Sequence, residues 1–170
     1  MIINNRILIK LKNKDEDTFK KIYDEYEKLI YFIALQITKN KETAEEVVQD
    51  TFLKMLNSID SYTENGKFKE WLMTICRNIS YNRITRDKEK DTLKDDSITD
   101  NVSAKSNDQD ILLTINGILD ELSASVVIYR IYYDLSFKEI ANYYEMSLGT
   151  IQGIYYKAIK TLRKEFKYES

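Results

Sequence analysis

The sequence predicts an all-α protein: two small helical domains joined by a flexible acidic linker, the C-terminal one containing a helix-turn-helix. Three observations carry that expectation. Apolar residues recur at helical spacing almost throughout, and no alternating strand pattern of any length interrupts them. Proline is absent and glycine occurs four times in 170 residues, so breakers are few. Between about 91 and 110 the apolar period stops, and six aspartates and three serines take its place.

Each helix has its own signature. Phe19, Ile22, Tyr23, Tyr26, Leu29, Ile30, Ile33 and Ile37 trace one face of a long first helix. Asn40 is a capping residue for the next, with Glu42, Glu45 and Glu46 near its positive end. That helix is expected to bury Ala44, Val47, Val48, Phe52, Met55 and Leu56 and to present Glu45, Glu46, Gln49 and Asp50. A polar loop is expected from Asn57 to Lys67. The third helix follows, with Phe68, Trp71, Leu72, Ile75, Cys76 and Ile79 inward, running to about Lys90. After the linker, Ile111, Leu112, Ile115, Ile118, Leu119 and Leu122 form one amphipathic helix. Ser123 through Asp134 form another, with Val126, Val127 and Ile131 inward. The expected domains are therefore 1–90 and 111–170, with 91–110 the linker.

The segment from Leu135 to Ile151 reads as a short helix, a tight turn and a second helix. That arrangement lays its second helix in the DNA major groove. Phe137, Ile140 and Ala141 face inward, Met146 fills the turn, and Ser147 caps the second helix. Ile151, Tyr155, Ala158, Ile159 and Leu162 are its expected buried set. Thr150, Gln152, Gly153, Tyr156, Lys157, Lys160 and Arg163 are left outside. Early residues of such a helix reach base edges and later cations meet phosphates, Gln152 being suited to an adenine edge. A solvated helix end, where cations suit the dipole, is the alternative for that basic run.

Charge sets a condition on this reading. Net charge is −2, made of +2 over 1–90, −3 over 91–108 and −1 over 109–170. No segment is a strong phosphate binder alone, so DNA affinity must come partly from elsewhere. The third helix offers Arg77, Arg83, Arg86, Lys88 and Lys90 with Asn78 and Asn82, and Arg83 and Arg86 share a face. The loop before it holds Asp60, Tyr62, Asn65 and Lys67, an aromatic and an amide suited to an unstacked base, or an ordinary surface loop. The acidic face of Glu45, Glu46, Gln49 and Asp50 repels DNA. It is either solvated or a docking patch for a basic or helical protein surface. The linker would span about 25 Å as a coil and about 65 Å extended, acting as a tether or as a phosphate mimic in a basic channel.

Composition also excludes. There is no histidine and one cysteine, Cys76, so an internal disulfide, most zinc sites and histidine-based catalysis are ruled out. Cys76 lies on an apolar face, as a core thiol would. No cofactor, metal or small-molecule substrate is expected, and no apolar run approaches the ~20 residues needed to cross a bilayer. Residues 1–14 lack the long apolar stretch of a signal peptide, so a cytoplasmic location is expected.

The order of the parts resembles the extracytoplasmic-function (ECF) group of the bacterial sigma-70 family. Ala44-Glu45-Glu46-Val47-Val48-Gln49-Asp50-Thr51-Phe52 is similar to the family's region 2.2. Trp71-Leu72 with Ile75-Cys76-Arg77-Asn78 is similar to regions 2.3–2.4. Leu135 to Ala141 and Ser147 to Ile151 are similar to region 4.2. The resemblance implies a non-catalytic factor that binds core RNA polymerase and directs it to promoters. It implies docking through Glu46, Gln49 and Asp50 on the polymerase clamp. It implies recognition and opening of the −10 element by the loop and third helix, through Tyr62, Asn65, Lys67, Asn78, Arg83 and Arg86. It implies −35 reading through Thr150, Gln152, Tyr156, Lys157, Lys160 and Arg163, a linker threading toward the polymerase active-site channel, and an anti-sigma partner able to hold the chain at the membrane. The chain departs from the pattern at Gln152, Gly153, Ile154 and Ile159, where basic or polar residues are usual, at Leu122-Ser123 in place of Leu-Pro, and at Asn82 in place of an aspartate. Two other readings fit parts of the chain: a dimeric helix-turn-helix regulator with its own DNA affinity, and a helical adaptor or sigma-like decoy.

Overall fold

In the computed structural model, residues 3–91 and 114–168 are described, with side chains over 3–86 and 114–166. Among them every regular element is a helix. The chain divides into two compact units, Met1–Asn101 and Val102–Ser170.

The first unit opens with α1 (Asn5–Lys12), which the sequence reading did not anticipate. Asn4 Oδ1 accepts from Ile7 N at 3.1 Å to start it, and Leu8 and Leu11 are buried. Helix α2 (Glu16–Thr38) begins where Asp15 Oδ1 accepts from Thr18 N at 2.9 Å, and stops at Lys39 in the left-handed region. Asn40 does cap α3 (Lys41–Ser58), accepting from Thr43 N at 2.8 Å. A 3-10 turn (Ile59–Ser61) and the loop to Lys67 lead into α4 (Phe68–Asp91). Helices α2, α3 and α4 pack against one another around Ile22, Ile30, Ile33, Val47, Met55, Leu72, Met73 and Cys76. Burying each of the Val, Leu, Ile and Met side chains among these stabilises the folded unit by about 1.5–3 kcal/mol.

Polar groups in this core are satisfied locally. Thr51 Oγ1 donates to Val47 O at 2.6 Å and Ser80 Oγ to Cys76 O at 2.8 Å. Cys76 Sγ donates to Ile30 O at 3.4 Å, and burial pushes its thiol from 9.0 up to about 12. Trp71, Ile75 and Ile79, expected inward, are only half-buried, as is Leu56, and Met73 takes the deeper position.

The second unit contains α5, of which residues 114–118 are described, α6 (Glu121–Ile131), α7 (Phe137–Tyr144) and α8 (Leu148–Tyr168). Its core joins Val127, Ala158 and Leu162, with Ile115, Ile118, Leu119, Tyr155 and Ile159 packed around them. Leu135, Ile140 and Ile151 are fully buried where α7 meets α8. Two expectations are corrected here. The helix expected to include Leu122 breaks at Asp120, whose Oδ1 accepts from Ser123 N at 3.0 Å and starts α6 two residues early. Ile131, expected inward, is 62% exposed. It extends the face of Val127, but there the packing of α6 on α8 opens into a groove of about 530 Å³ lined also by Tyr155, Ile159, Leu162, Arg163 and Phe166.

The expected linker and its aspartates, the face of Ile111 and Leu112, and the side chains of Lys88, Lys90 and Lys167 lie outside the described residues.

Candidate functional site

The turn between α7 and α8 is built by backbone and caps. Ser136 and Glu139 form a reciprocal box at the start of α7, Glu139 N donating to Ser136 Oγ at 3.2 Å and Ser136 N to Glu139 Oε2 at 2.7 Å. Glu145 takes a left-handed φ of 56°, and Met146 N donates to Ala141 O at 2.9 Å. Met146, expected to fill the turn, is 37% exposed there. Ser147 Oγ accepts from Thr150 N at 3.1 Å, the expected cap of α8.

Helix α8 presents Thr150, Gly153, Tyr156, Lys157, Lys160 and Arg163 to solvent, and Gln152 is half-buried. The Thr150 and Ser147 hydroxyls lie 2.7 Å apart, so part of Thr150's hydrogen-bonding capacity is used in the cap. Tyr156 leans on Phe137 and Tyr155 by ring contact yet keeps most of its surface open. A cation stripe thus follows a polar helix start, the order that places bases first and phosphates second.

On the first unit, Glu46 and Gln49 are exposed and Asp50 is half-buried, with Leu53 exposed one turn on. An acidic row with an apolar residue at its end suits a basic, helical partner surface. Arg83 reaches this row from α4. Its Nη1 lies 3.0 Å from Glu46 Oε2 and its Nη2 3.0 Å from Asp50 Oδ2. Arg83 is expected among the −10 residues and the two carboxylates on the docking face; the fold joins them.

The −10 residues fall into two sets. Asn78 and Arg86 are exposed on α4, with Asn82 between them at helical spacing. Tyr62 is different: it is 8% exposed, with its ring 4.6 Å from Trp71 and 5.6 Å edge-on to Phe68, centroid to centroid. Burial raises its hydroxyl pKa, and that hydroxyl reaches Asn65 Oδ1 at 3.5 Å. Its ring is a packing element of the loop, not a free stacking platform. Asn65 Oδ1 also accepts from Lys67 N at 3.1 Å, while the Lys67 side chain is exposed. The exposed aromatic of this face is Tyr81, which sequence reasoning missed. The available signal was its neighbours: Asn78, Asn82 and Thr85 put it on the polar stripe of α4 rather than the apolar one.

Among the described residues no group of histidine, cysteine or carboxylate side chains could hold a metal ion, and no helix is long and apolar enough to cross a membrane.

Residues 22–90 match the family Sigma-70 region 2, and residues 117–164 match Sigma-70, region 4. The chain is 28% identical to ECF RNA polymerase sigma factor SigM of Bacillus subtilis over 156 residues, covering 86% of this chain and 93% of that one. It is 26% identical to ECF RNA polymerase sigma factor SigW of the same organism, covering 98% of both. In fold it is similar to the sigma factor RpoE solved with the anti-sigma factor NepR from Bartonella quintana, with TM-score 0.69, 22% identity, and 89% and 98% of the two chains covered. It is similar as well to CnrH solved with the cytosolic domain of CnrY, with TM-score 0.65, 17% identity, and 96% and 97% covered. Both regions are matched in their proper order over more than half of the sequence, and the chain belongs to the sigma-70 family, in its ECF group of RNA polymerase sigma factors.

Proposed function

We propose that this chain is the promoter-specificity subunit of a bacterial RNA polymerase, carrying core enzyme to −10 and −35 elements and helping to open the duplex. The single observation that carries the reading is the pairing of a capped helix-turn-helix, whose α8 ends in exposed cations, with a separate helical unit bearing an acidic face on α3. One surface is suited to DNA and the other to a protein.

In this reading residues 1–90 dock on polymerase and engage the −10 element, 91–110 connect, and 111–170 read the −35 element. Glu46, Gln49 and Asp50 make the polymerase contacts. Asn65, Lys67, Asn78 and Arg86 meet the −10 strand, joined by Tyr81 in place of Tyr62. Thr150, Gln152, Tyr156, Lys157, Lys160 and Arg163 meet the −35 duplex. The chain catalyses nothing itself and works in the cytoplasm. Two solved neighbours were captured with an anti-sigma factor or a cytosolic partner domain, which supports an inhibitory partner here too.

Run-off transcription with purified core polymerase and a genomic promoter library tests the reading. Promoter-specific transcripts that depend on added chain are expected; failure to associate with core enzyme overturns it.

A further inference from the structure

The leading two turns of α8 are uncharged. From Leu148 to Tyr156 the helix carries no lysine, arginine or carboxylate, and its first cation, Lys157, stands about 13 Å along the axis from Leu148. The second helix of a helix-turn-helix reaches base edges from this lead. Guanine is most often read there by an arginine or lysine on its O6 and N7, and no side chain of the lead can do that. What the lead offers instead is apolar. Leu148 is 47% exposed at the first helical position and Tyr156 is 63% exposed. The Thr150 hydroxyl is engaged in the cap, 2.7 Å from Ser147 Oγ. Gln152 lies one turn beyond Leu148 on the same face and is half-buried. A Cβ at Gly149 or at Gly153 meets nothing within 4 Å, so the fold has no steric need of glycine there. Bare backbone at both positions lets the helix come close to a base pair.

We propose that Leu148 is a specificity-determining residue that selects thymine in the −35 duplex by contact with its C5-methyl group, while Gln152 takes the N6 and N7 of a neighbouring adenine. Thymine is the one base that puts a methyl group into the major groove, and an apolar side chain is the complement of that methyl. Lys157, Lys160 and Arg163, further along α8, meet phosphates and add affinity without choosing a base. The lead therefore reads A·T pairs by a methyl contact and an amide, where a cation would have read guanine. The inference rests on the proposed −35 role of α8 and names the chemistry that this helix recognises.

The test uses holoenzyme, reconstituted from core polymerase and the full chain, on a promoter recovered by the run-off screen. Each −35 thymine is replaced in turn by deoxyuridine, which keeps the base pair and removes only the methyl. Gel-shift affinity is expected to fall about three- to fivefold at one or two of these thymines, the loss that one buried methyl group predicts. Leu148→Ala is expected to bind the unmodified promoter about three- to tenfold more weakly and to be indifferent to deoxyuridine at those same positions. Leu148→Met, still long and apolar, is expected to keep the sensitivity. Melting temperatures of both variants are expected to stay close to wild type, since Leu148 lies outside the core. Deoxyuridine without effect anywhere in the −35 element overturns the assignment. So does a −35 element without thymine, or a deoxyuridine loss that persists in full in Leu148→Ala. Should Leu148→Ala fail to fold, Leu148→Gln gives the same comparison. The two levels separate cleanly: promoter-specific transcription with no methyl dependence removes the Leu148 assignment alone, whereas a chain that never binds core polymerase removes the underlying reading and this one with it.

Discussion

Arg83 Nη2 and Asp50 Oδ2 stand 3.0 Å apart, a bond that ties α4 to α3 across 33 positions of sequence. With the partner bond to Glu46 it is a half-buried bridge on an otherwise solvated face. Removing the cation with Arg83→Gln should cost about 0.5–1 kcal/mol, screened at high salt. Thermal melting in low and high salt checks this: a drop of a few degrees is expected in low salt and a smaller one in high salt. Asp50→Arg should weaken association with core polymerase by about tenfold or more while the chain stays folded; unchanged affinity removes α3 as the docking face.

The thiol of Cys76 is a core group. Burial raises its pKa to about 12, above the ordinary 9.0 that it recovers on unfolding. A group whose folded pKa is raised stabilises fully below its unfolded value and loses that contribution as pH rises toward the folded one. Stability should therefore fall between about pH 9 and 12, and Cys76→Ala should flatten that part of the pH–melting profile. A disulfide reagent at pH 8 should label the native thiol far more slowly than the unfolded one.

Gly153 lies in the interior of α8, and a Cβ added there meets no atom within 4 Å. Gly153→Ala should then stabilise the helix by about 1 kcal/mol. If α8 lies in the major groove as proposed, the same methyl stands between the helix and the bases. The expected signature is a raised melting temperature together with weaker promoter binding by the holoenzyme. A gain in stability with unaltered promoter binding places Gly153 outside the DNA contact.

Lys160 and Arg163 are exposed on the same helix. Changing both to glutamine should reduce promoter binding at low salt and lower the steepness of its salt dependence by about 2 in log–log slope. Stability should change little, because neither side chain packs in the core. Unaltered transcription from the cognate promoter would overturn the phosphate assignment.

Asp120 separates α5 from α6 by accepting from Ser123 N at 3.0 Å, which lowers its pKa. Asp120→Ala should cost about 1 kcal/mol, whereas Asp120→Asn should cost less. Because the folded pKa is depressed, the cap's contribution is present above the ordinary carboxylate value of 3.8 and fades as pH falls through the depressed folded value. Urea titrations of both variants at neutral and acidic pH check it, the alanine and wild-type midpoints converging in acid.

Where burial follows periodicity, the sequence was sufficient. Ile22, Ile30, Ile33, Val47, Met55, Ile151 and Ala158 lie inside because each repeats at three or four residues on a long helix. Short elements escaped. Eight-residue α1 buries Leu8 and Leu11 with Ile7 half-buried beside them, but exposed Ile9 on the other face blurs the period over so short a stretch. Tyr62 was misread because its loop is polar around it; only Phe68 and Trp71, which fold back over it, show that its ring is enclosed. Ile131 was misread for the opposite reason, since periodicity cannot tell where a neighbouring helix stops covering a face. The link between Arg83 and the α3 acids was invisible because sequence gives no register between two helices. The cations of α8 were legible, as nothing on that stripe competes with solvent.

Helix starts in this proline-free chain are written in side chains: Asn4, Asp15, Asn40, Asp120, Ser136 and Ser147 each hold a backbone amide that the helix leaves over. Punctuation of that kind is erasable by a single base change that leaves backbone geometry permitted, so helix length is an easily inherited variable. Losing the cap at Asp120 would weaken the start of α6, the helix on which α7 and α8 are mounted.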